Sequence, residues 1–336
     1  SYPKPQPIKP LSHNVIPMLS LQPILQNLRS RPRLTGILCV MGGVSCFTTQ
    51  DTVIKFLSGG YPLHQIILVR GVIALIFILV VFVPLEGGIR RLYTHRLGLH
   101  ALRAITVVFA NLFFFTGLAS LPLGETTAII FVAPLLITAL AALLLHEKVN
   151  KRRWIAVGVG LLGTTFMIRP GTSVFNPMMF FPLLAAICYA LFQIMSRHIG
   201  STESASTMAF YVQLMFIVVS ALIGLLVGDG RFAVDDNPTL NFLLRAWVWP
   251  NDQDLILLAG VGILSGIGAY LISQGYRITE ASLVAPFEYA ALPSAMAWSI
   301  LFFGDWPDNW SWLGVALILG AGLYAFFQGN VRERKA

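Results

Sequence analysis

The sequence predicts an all-α integral membrane protein with ten transmembrane helices arranged as two inverted five-helix repeats, and three observations lead there. Hydrophobic residues make up 56% of the 336 residues and charged ones 11%, with a mean hydropathy of +0.74, so lipid is the solvent for most of the chain. Apolar runs of membrane-spanning length recur, and a bilayer supplies no water to unpaired backbone groups, so each run must be helical. Basic residues gather in alternate connections, and short segments of the first half return in order in the second.

Residues 1–33 begin SYPKPQPIKP and lack the apolar core and cleavage site of a signal peptide, so they read as a polar cytoplasmic tail. Apolar runs predict spans over residues 34–57, 63–83, 99–118, 125–145 and 154–168, which place the first repeat at 34–170. A second set covers 180–199, 205–227, 255–275, 281–303 and 310–327, within a repeat at 176–328, and residues 329–336 form a basic cytoplasmic tail. The long connection after residue 227 carries Asp229, Asp235, Asp236, Asp252 and Asp254 and reads as a solvated outer loop.

Charge placement orients the bundle, because Lys and Arg favour cytoplasmic loops. With the amino terminus inside, inner segments hold Lys4, Lys9, Arg29, Arg31, Arg33, Arg90, Arg91, Arg96, Lys148, Lys151, Arg152, Arg153, Arg197, Arg277, Arg332, Arg334 and Lys335. Outer segments hold Arg169, Arg231 and Arg245. Both termini are therefore expected on the cytoplasmic side of a multi-pass plasma membrane protein, which in a bacterium means the inner membrane.

The repeat is read from residue matches. Cys46 to Asp51 aligns without gaps to Cys188 to Gln193, which sets Lys55 on Arg197 and Arg70 near Gln213. Gly117 matches Gly275, Pro134 matches Pro293 within a turn, and Trp154 matches Trp312. Each half has an odd number of spans, so the second enters the membrane with opposite polarity. Such halves have two near-equivalent packings, open to either side, with a solute site near the midplane between them.

Other function classes lose ground on composition. Net charge is +8, but the basic residues sit between apolar runs, as membrane orientation requires, so no nucleic-acid partner is expected. Cys39, Cys46 and Cys188 lie inside apolar runs and read as small core residues. No set of His, Cys, Asp or Glu has metal-ligand or catalytic spacing, so neither metal, cofactor nor enzyme activity is expected. The partners expected are a small-molecule solute and membrane lipids.

The chain resembles the drug/metabolite transporter superfamily, in particular its EamA-type members with ten helices. The resemblance rests on Gln50 to Lys55, on Arg70 to Ala74, on Ala133-Pro134 followed by His146-Glu147-Lys148, and on Gly158 through Ile168-Arg169-Pro170-Gly171. Glu288 to Pro293, Gly304-Asp305 and Gly314 through Gly322 match in the second half, with Asp305 where the family pattern more usually has Glu. The resemblance implies transport, without ATP hydrolysis, of metabolites such as amino acids, amines, cofactors or nucleotide derivatives. Nucleotide-sugar carriers resemble the same fold and give the alternative substrate class.

Ionisable residues at membrane depth cost at least about 2.5–3.5 kcal/mol on insertion scales, so they face partners or wet cavities. Asp51 and Lys55 share one face of the first span, and two readings fit: a structural ion pair or a group on the solute pathway. Glu288 lies between Pro286 and Pro293, where missing backbone donors open the helix, and Pro134, Pro286 and Pro293 are hinge candidates. Asp51 and Glu288 are the proton-coupling candidates. Arg70 suits a substrate carboxylate or a structural acid, and Arg103 is read as a snorkelling anchor.

Gln50, Asn111, Tyr189, Gln193, Gln274 and Tyr289 complete the polar candidates for substrate binding, and Phe114 and Tyr270 the aromatic ones. Gln213 reads as an interhelical hydrogen bond. The favoured substrate is amino-acid-like, zwitterionic or carboxylate-bearing, because acid and base groups coexist at depth. Gly158, Gly160, Gly163, Gly314, Gly320 and Gly322 suit close helix packing, including a homodimer contact.

Overall fold

The computed structural model describes residues 31–121, 123–147, 149–168, 177–233 and 238–304, with short stretches and single positions between 306 and 324. Pro32 stands in the first turn of α1 (Pro32–Leu57), where helix donors have no helical acceptor and a missing N–H costs nothing. Helix α2 (Leu63–Leu85) contains a widened turn at Ile78–Phe82, and α3 (Leu97–Ser120) runs unbroken. The fourth predicted span is two helices, α4 (Leu123–Ile130) and α5 (Ala133–Leu144). The Pro134 ring would clash with the carbonyl four residues back, that of Ile130, and α4 ends there.

Helix α6 (Lys151–Ile168) closes the first set. Helices α7 (Phe180–Ile199) and α8 (Ala205–Val227) follow, the latter capped by Ser204, whose side chain accepts the Thr207 N–H. The long connection is not a plain loop: it holds α9 (Pro238–Leu244), and Arg245 donates to the Gly59 carbonyl at 2.6 Å. Helix α10 (Asp252–Ile278) starts on an Asn251 cap with Asp252 and Asp254 in its first turn, where negative charge suits the helix dipole. The ninth predicted span is broken into α11 (Ala281–Val284), a 3₁₀ stretch Ala285–Ala290 and α12 (Ala291–Trp298), then a widened turn Ser299–Phe303.

Among the described residues there is no strand, and six helices are long and apolar enough to cross a membrane: α1, α2, α3, α7 with its preceding turn, α8 and α10. Most of the predicted tails and parts of the tenth span lie outside the described residues, as do Lys148, Arg169 to Gly171, Asp235, Asp236, Asp305 and Gly322.

The helix boundaries recur along the chain. Leu57, Leu63 and Leu85 bound helices of the first half at one constant offset from Ile199, Ala205 and Val227. Ser120, Leu123 and Ala133 stand at a second constant offset from Ile278, Ala281 and Ala291. The change of offset falls in the long connection that holds α9. His146 and Gly304, separated by the second offset, both adopt left-handed backbone after the second part of a broken helix, with φ of 54° and 71°.

Packing joins the two sets: α1 lies along α10, α3 along α7, and α2 against α8 and α10. Glycines make the α1–α10 seam close. A methyl group on Gly36 would fall on the Thr279 hydroxyl, one on Gly43 would meet Ile272, and one on Gly275 would meet Val40. Gly160 faces the Tyr289 ring inside the chain, so it serves internal packing and not a dimer contact. Gly36→Val should lower stability in detergent by about 1–3 kcal/mol through overpacking, read by thermal unfolding, whereas Gly59→Ala, with open space around it, should not.

Candidate functional site

A cavity of about 170 Å³ lies where α1, α2, α3, the broken α4–α5 and their counterparts α7, α8, α10 and the α11–α12 segment converge. Its wall is largely aromatic and aliphatic, with Phe47, Phe114, Phe131, Tyr189, Phe192 and Phe216 contributing rings. Of the predicted residues, Gln50, Asp51, Arg70, Asn111, Phe114, Pro134, Tyr189 and Glu288 line it.

Two polar groups stand in this wall. In the first, Arg70 is 2% exposed, donates from Nη2 to Asn111 Oδ1 at 3.0 Å and lies over the Phe216 ring at 5.0 Å. Gln50 Nε2 donates to Asp51 Oδ1 at 3.2 Å, and Gln213 Nε2 donates to Ser265 Oγ at 3.0 Å. In the second, Glu288 Oε1 accepts from the Tyr276 hydroxyl at 2.5 Å, the Tyr189 hydroxyl at 3.2 Å and Gln193 Nε2 at 3.4 Å. Gln193 Nε2 also donates to the Tyr189 hydroxyl at 2.6 Å. Three neutral donors on one carboxylate oxygen hold the acid at depth, with no counter-ion in contact among the described residues.

Several expected site residues lie elsewhere. Lys55 Nζ reaches the carbonyls of Leu118 and Leu121, at 3.4 and 3.2 Å, where the end of α3 leaves acceptors free; of the two readings of Asp51 and Lys55, the described contacts do not show the ion pair. Tyr270 stacks on Phe82 with ring centroids 3.9 Å apart and donates to Glu86 Oε1, while Gln274 Oε1 accepts from Arg277 Nη1. These two share the face of α10 turned away from the cavity, which Ala269, Ile272 and Ser273 line. Tyr289 packs on Phe131, one shell behind the wall. Gln193 is fully buried and acts on the cavity through Tyr189 and Glu288. Pro286 opens the 3₁₀ stretch and Pro293 lies inside α12, so both belong to the broken segment.

Arg103 does not snorkel. It is 0% exposed, lies over the Phe192 ring at 4.4 Å, and donates to Ser196 Oγ, the Met208 carbonyl and Ser273 Oγ at 2.7, 2.9 and 3.3 Å. Sufficient neutral acceptors on three helices remove the need to reach water. Sequence reasoning also missed Tyr276, because its partner Glu288 is reached only across a helix end and a break, where no periodicity applies. Gln213 makes the interhelical hydrogen bond expected of it, to Ser265, and also lines the cavity.

A model of the EamA-like transporter family matches residues 34–169 and again residues 176–327. The chain belongs to the EamA-like transporter family. A riboflavin transporter of Vibrio cholerae is 30% identical over 291 residues, covering 85% of this EamA-like chain and 91% of the relative. An S-adenosylmethionine uptake transporter of Rickettsia prowazekii is 26% identical, covering 88% and 93%. A solved crystal structure superposes with a TM-score of 0.70 at 19% identity, covering 90% of this chain and all but 1% of its own, and so shares the fold. The family is named for transporters, and these two relatives for transport of riboflavin and S-adenosylmethionine; the EamA-like chain is a multi-pass membrane protein. Among the described residues no group of His, Cys, Asp and Glu is placed to hold a metal.

The donors around Glu288 set a testable stability. Tyr276→Phe removes the shortest of them and should cost about 1.5–3 kcal/mol, as for hydrogen bonds to charged groups, in denaturant unfolding of the purified protein. Tyr270→Phe, whose hydroxyl contacts the partly exposed Glu86, should cost less than about 1 kcal/mol in the same measurement.

Proposed function

We propose that this chain is a secondary transporter moving a small organic metabolite by alternating access, through a midplane site between two inverted five-helix repeats of a ten-helix bundle. The observation that carries the reading is the central cavity, whose wall draws on both halves and on both broken helices. Recurrent helix boundaries and the double family match support the repeats at 34–170 and 176–328. Discontinuous helices beside a midplane site are a general feature of inverted-repeat transporters. The distribution of basic residues supports termini on the cytoplasmic side of the plasma membrane.

Two substrate chemistries fit this site. Asp51, Arg70 and Glu288 offer both signs of charge to an amino-acid-like zwitterion. Six aromatic rings favour instead a metabolite carrying a planar ring, closer to the nucleotide-derivative alternative. The named cargoes of the relatives, riboflavin and S-adenosylmethionine, both carry heteroaromatic rings, which weighs toward the second.

Asp51 and Glu288 are the coupling groups in this reading, since each is a carboxyl at membrane depth that can exchange a proton as the cavity changes sides. Purified protein in liposomes should accumulate a labelled ring-bearing metabolite when a pH gradient is imposed. Glu288→Gln or Asp51→Asn should abolish gradient-driven accumulation while retaining exchange of labelled for unlabelled solute. Gradient-driven accumulation that survives both substitutions would contradict the coupling, and loss of all flux from the unaltered protein across such a panel would contradict transport.

A further inference from the structure

Three side-chain atoms of residues that line the cavity are buried and have no hydrogen-bond partner among the described residues: Gln50 Oε1, Gln213 Oε1 and Arg70 Nε. Their residues are 2%, 1% and 2% exposed, so bulk water does not serve them. The orientation of both amides follows from their neighbours. Gln50 turns its NH₂ to the Asp51 carboxylate and Gln213 its NH₂ to Ser265, which leaves each carbonyl oxygen as the unmet atom. An unmet buried acceptor or donor is costly, and three such atoms on residues lining one cavity mark where a ligand's polar atoms belong.

The mixture of orphans is selective. A carboxylate or phosphate only accepts, so it would satisfy Arg70 Nε and set its charge against two amide oxygens. An ammonium only donates, so it would satisfy the two oxygens and face the Arg70 guanidinium. Hydroxyl groups donate and accept, and a run of them can meet all three atoms. Buried charge points the same way. Among the described side chains around the cavity, Asp51 and Glu288 are balanced by Arg70 and by Arg103, which sits behind Ser273. A ligand of zero net charge leaves that balance undisturbed, whereas a charged one adds an unmatched charge in a low-dielectric site.

We propose that the substrate is an uncharged, ring-bearing metabolite with a hydroxyl-rich tail, and that Gln50, Gln213 and Arg70 Nε are the residues that read the tail. The aromatic wall at Phe114, Phe131 and Phe216 takes the ring. This proposal rests on the transport reading for its biology, but its test is binding alone. The two therefore fail separately: a ligand that binds and is not moved sinks transport and leaves the site assignment standing.

Two probe series on the purified protein separate ring, tail and charge: riboflavin against lumichrome, which lacks the tail, and flavin mononucleotide, which adds a phosphate; and adenosine against adenine and AMP. In at least one series the neutral, tailed compound should bind about ten-fold or more tighter than both counterparts, by fluorescence quenching or calorimetry. Tighter binding of the tail-less or phosphorylated compound, or no preference in either series, overturns the proposal. Gln50→Leu and Gln213→Leu should each weaken the tailed probe about five- to ten-fold and leave the tail-less probe unchanged, which also reports that the variants are folded. Equal weakening of tailed and tail-less probes, or no weakening, overturns the assignment of these oxygens to the tail.

Discussion

A bilayer offers no hydrogen-bond partners, and that constraint decides where this chain can break a helix. Backbone groups freed at a break must face protein or a wet cavity. Both breaks obey it. Residues on either side of the α4–α5 break, Ile130 and Ala133, line the central cavity, as do Glu288 and Ala291 at the second break. At the start of α11 the free N–H groups of Ala281 and Ser282 are met by the Glu147 carboxylate, each at 3.0 Å, and Arg197 pairs with that carboxylate at 3.5 Å. The residues after the first broken helix thus cap the beginning of the second.

From this frame comes a site with repeated backbone and unlike chemistry. Applying the two offsets along the chain pairs cavity residues: Gln50 with Phe192, Arg70 with Val212, Asn111 with Ala269, Val107 with Ser265, and Ile130 with Glu288. In these five pairs one member is polar and the other apolar, whereas Phe114 with Ile272 and Ala133 with Ala291 pair apolar residues. A near-symmetric bundle can offer similar packings open to either side, while an asymmetric lining lets one ligand bind in one orientation. Arg103 belongs to the same logic. Its three acceptors come from α7, α8 and α10, so one buried cation ties the helix that carries it to three helices of the other half.

Much of this was legible from residue type and spacing. Hydropathy and charge gave the helices their order, and Cys46 to Asp51 set against Cys188 to Gln193 gave the first offset that the helix boundaries obey. Pro134 and Pro286 marked the breaks because ring closure and a missing N–H act locally. What stayed hidden depended on tertiary contact. Lys55 and Asp51 have the right spacing for a pair, but spacing cannot show that the end of α3 presents carbonyls to the lysine. Tyr270 and Gln274 look like site residues on any helical wheel, and only the position of α2 turns their face away. Gln213 gives the opposite case: its orphaned oxygen exists only because Ser265 claims its amide nitrogen.

The proposed transport requires one cavity to be reached alternately from the two sides of the membrane. Thr48 lines that cavity, and replacing Cys39, Cys46 and Cys188 with Ala allows Thr48→Cys to report its exposure alone. The measurement is its labelling by a membrane-impermeant thiol reagent, compared between right-side-out and inside-out vesicles. Alternating access predicts labelling from both sides, with bound substrate slowing each. Labelling from one side only under every condition, with or without substrate, would contradict it.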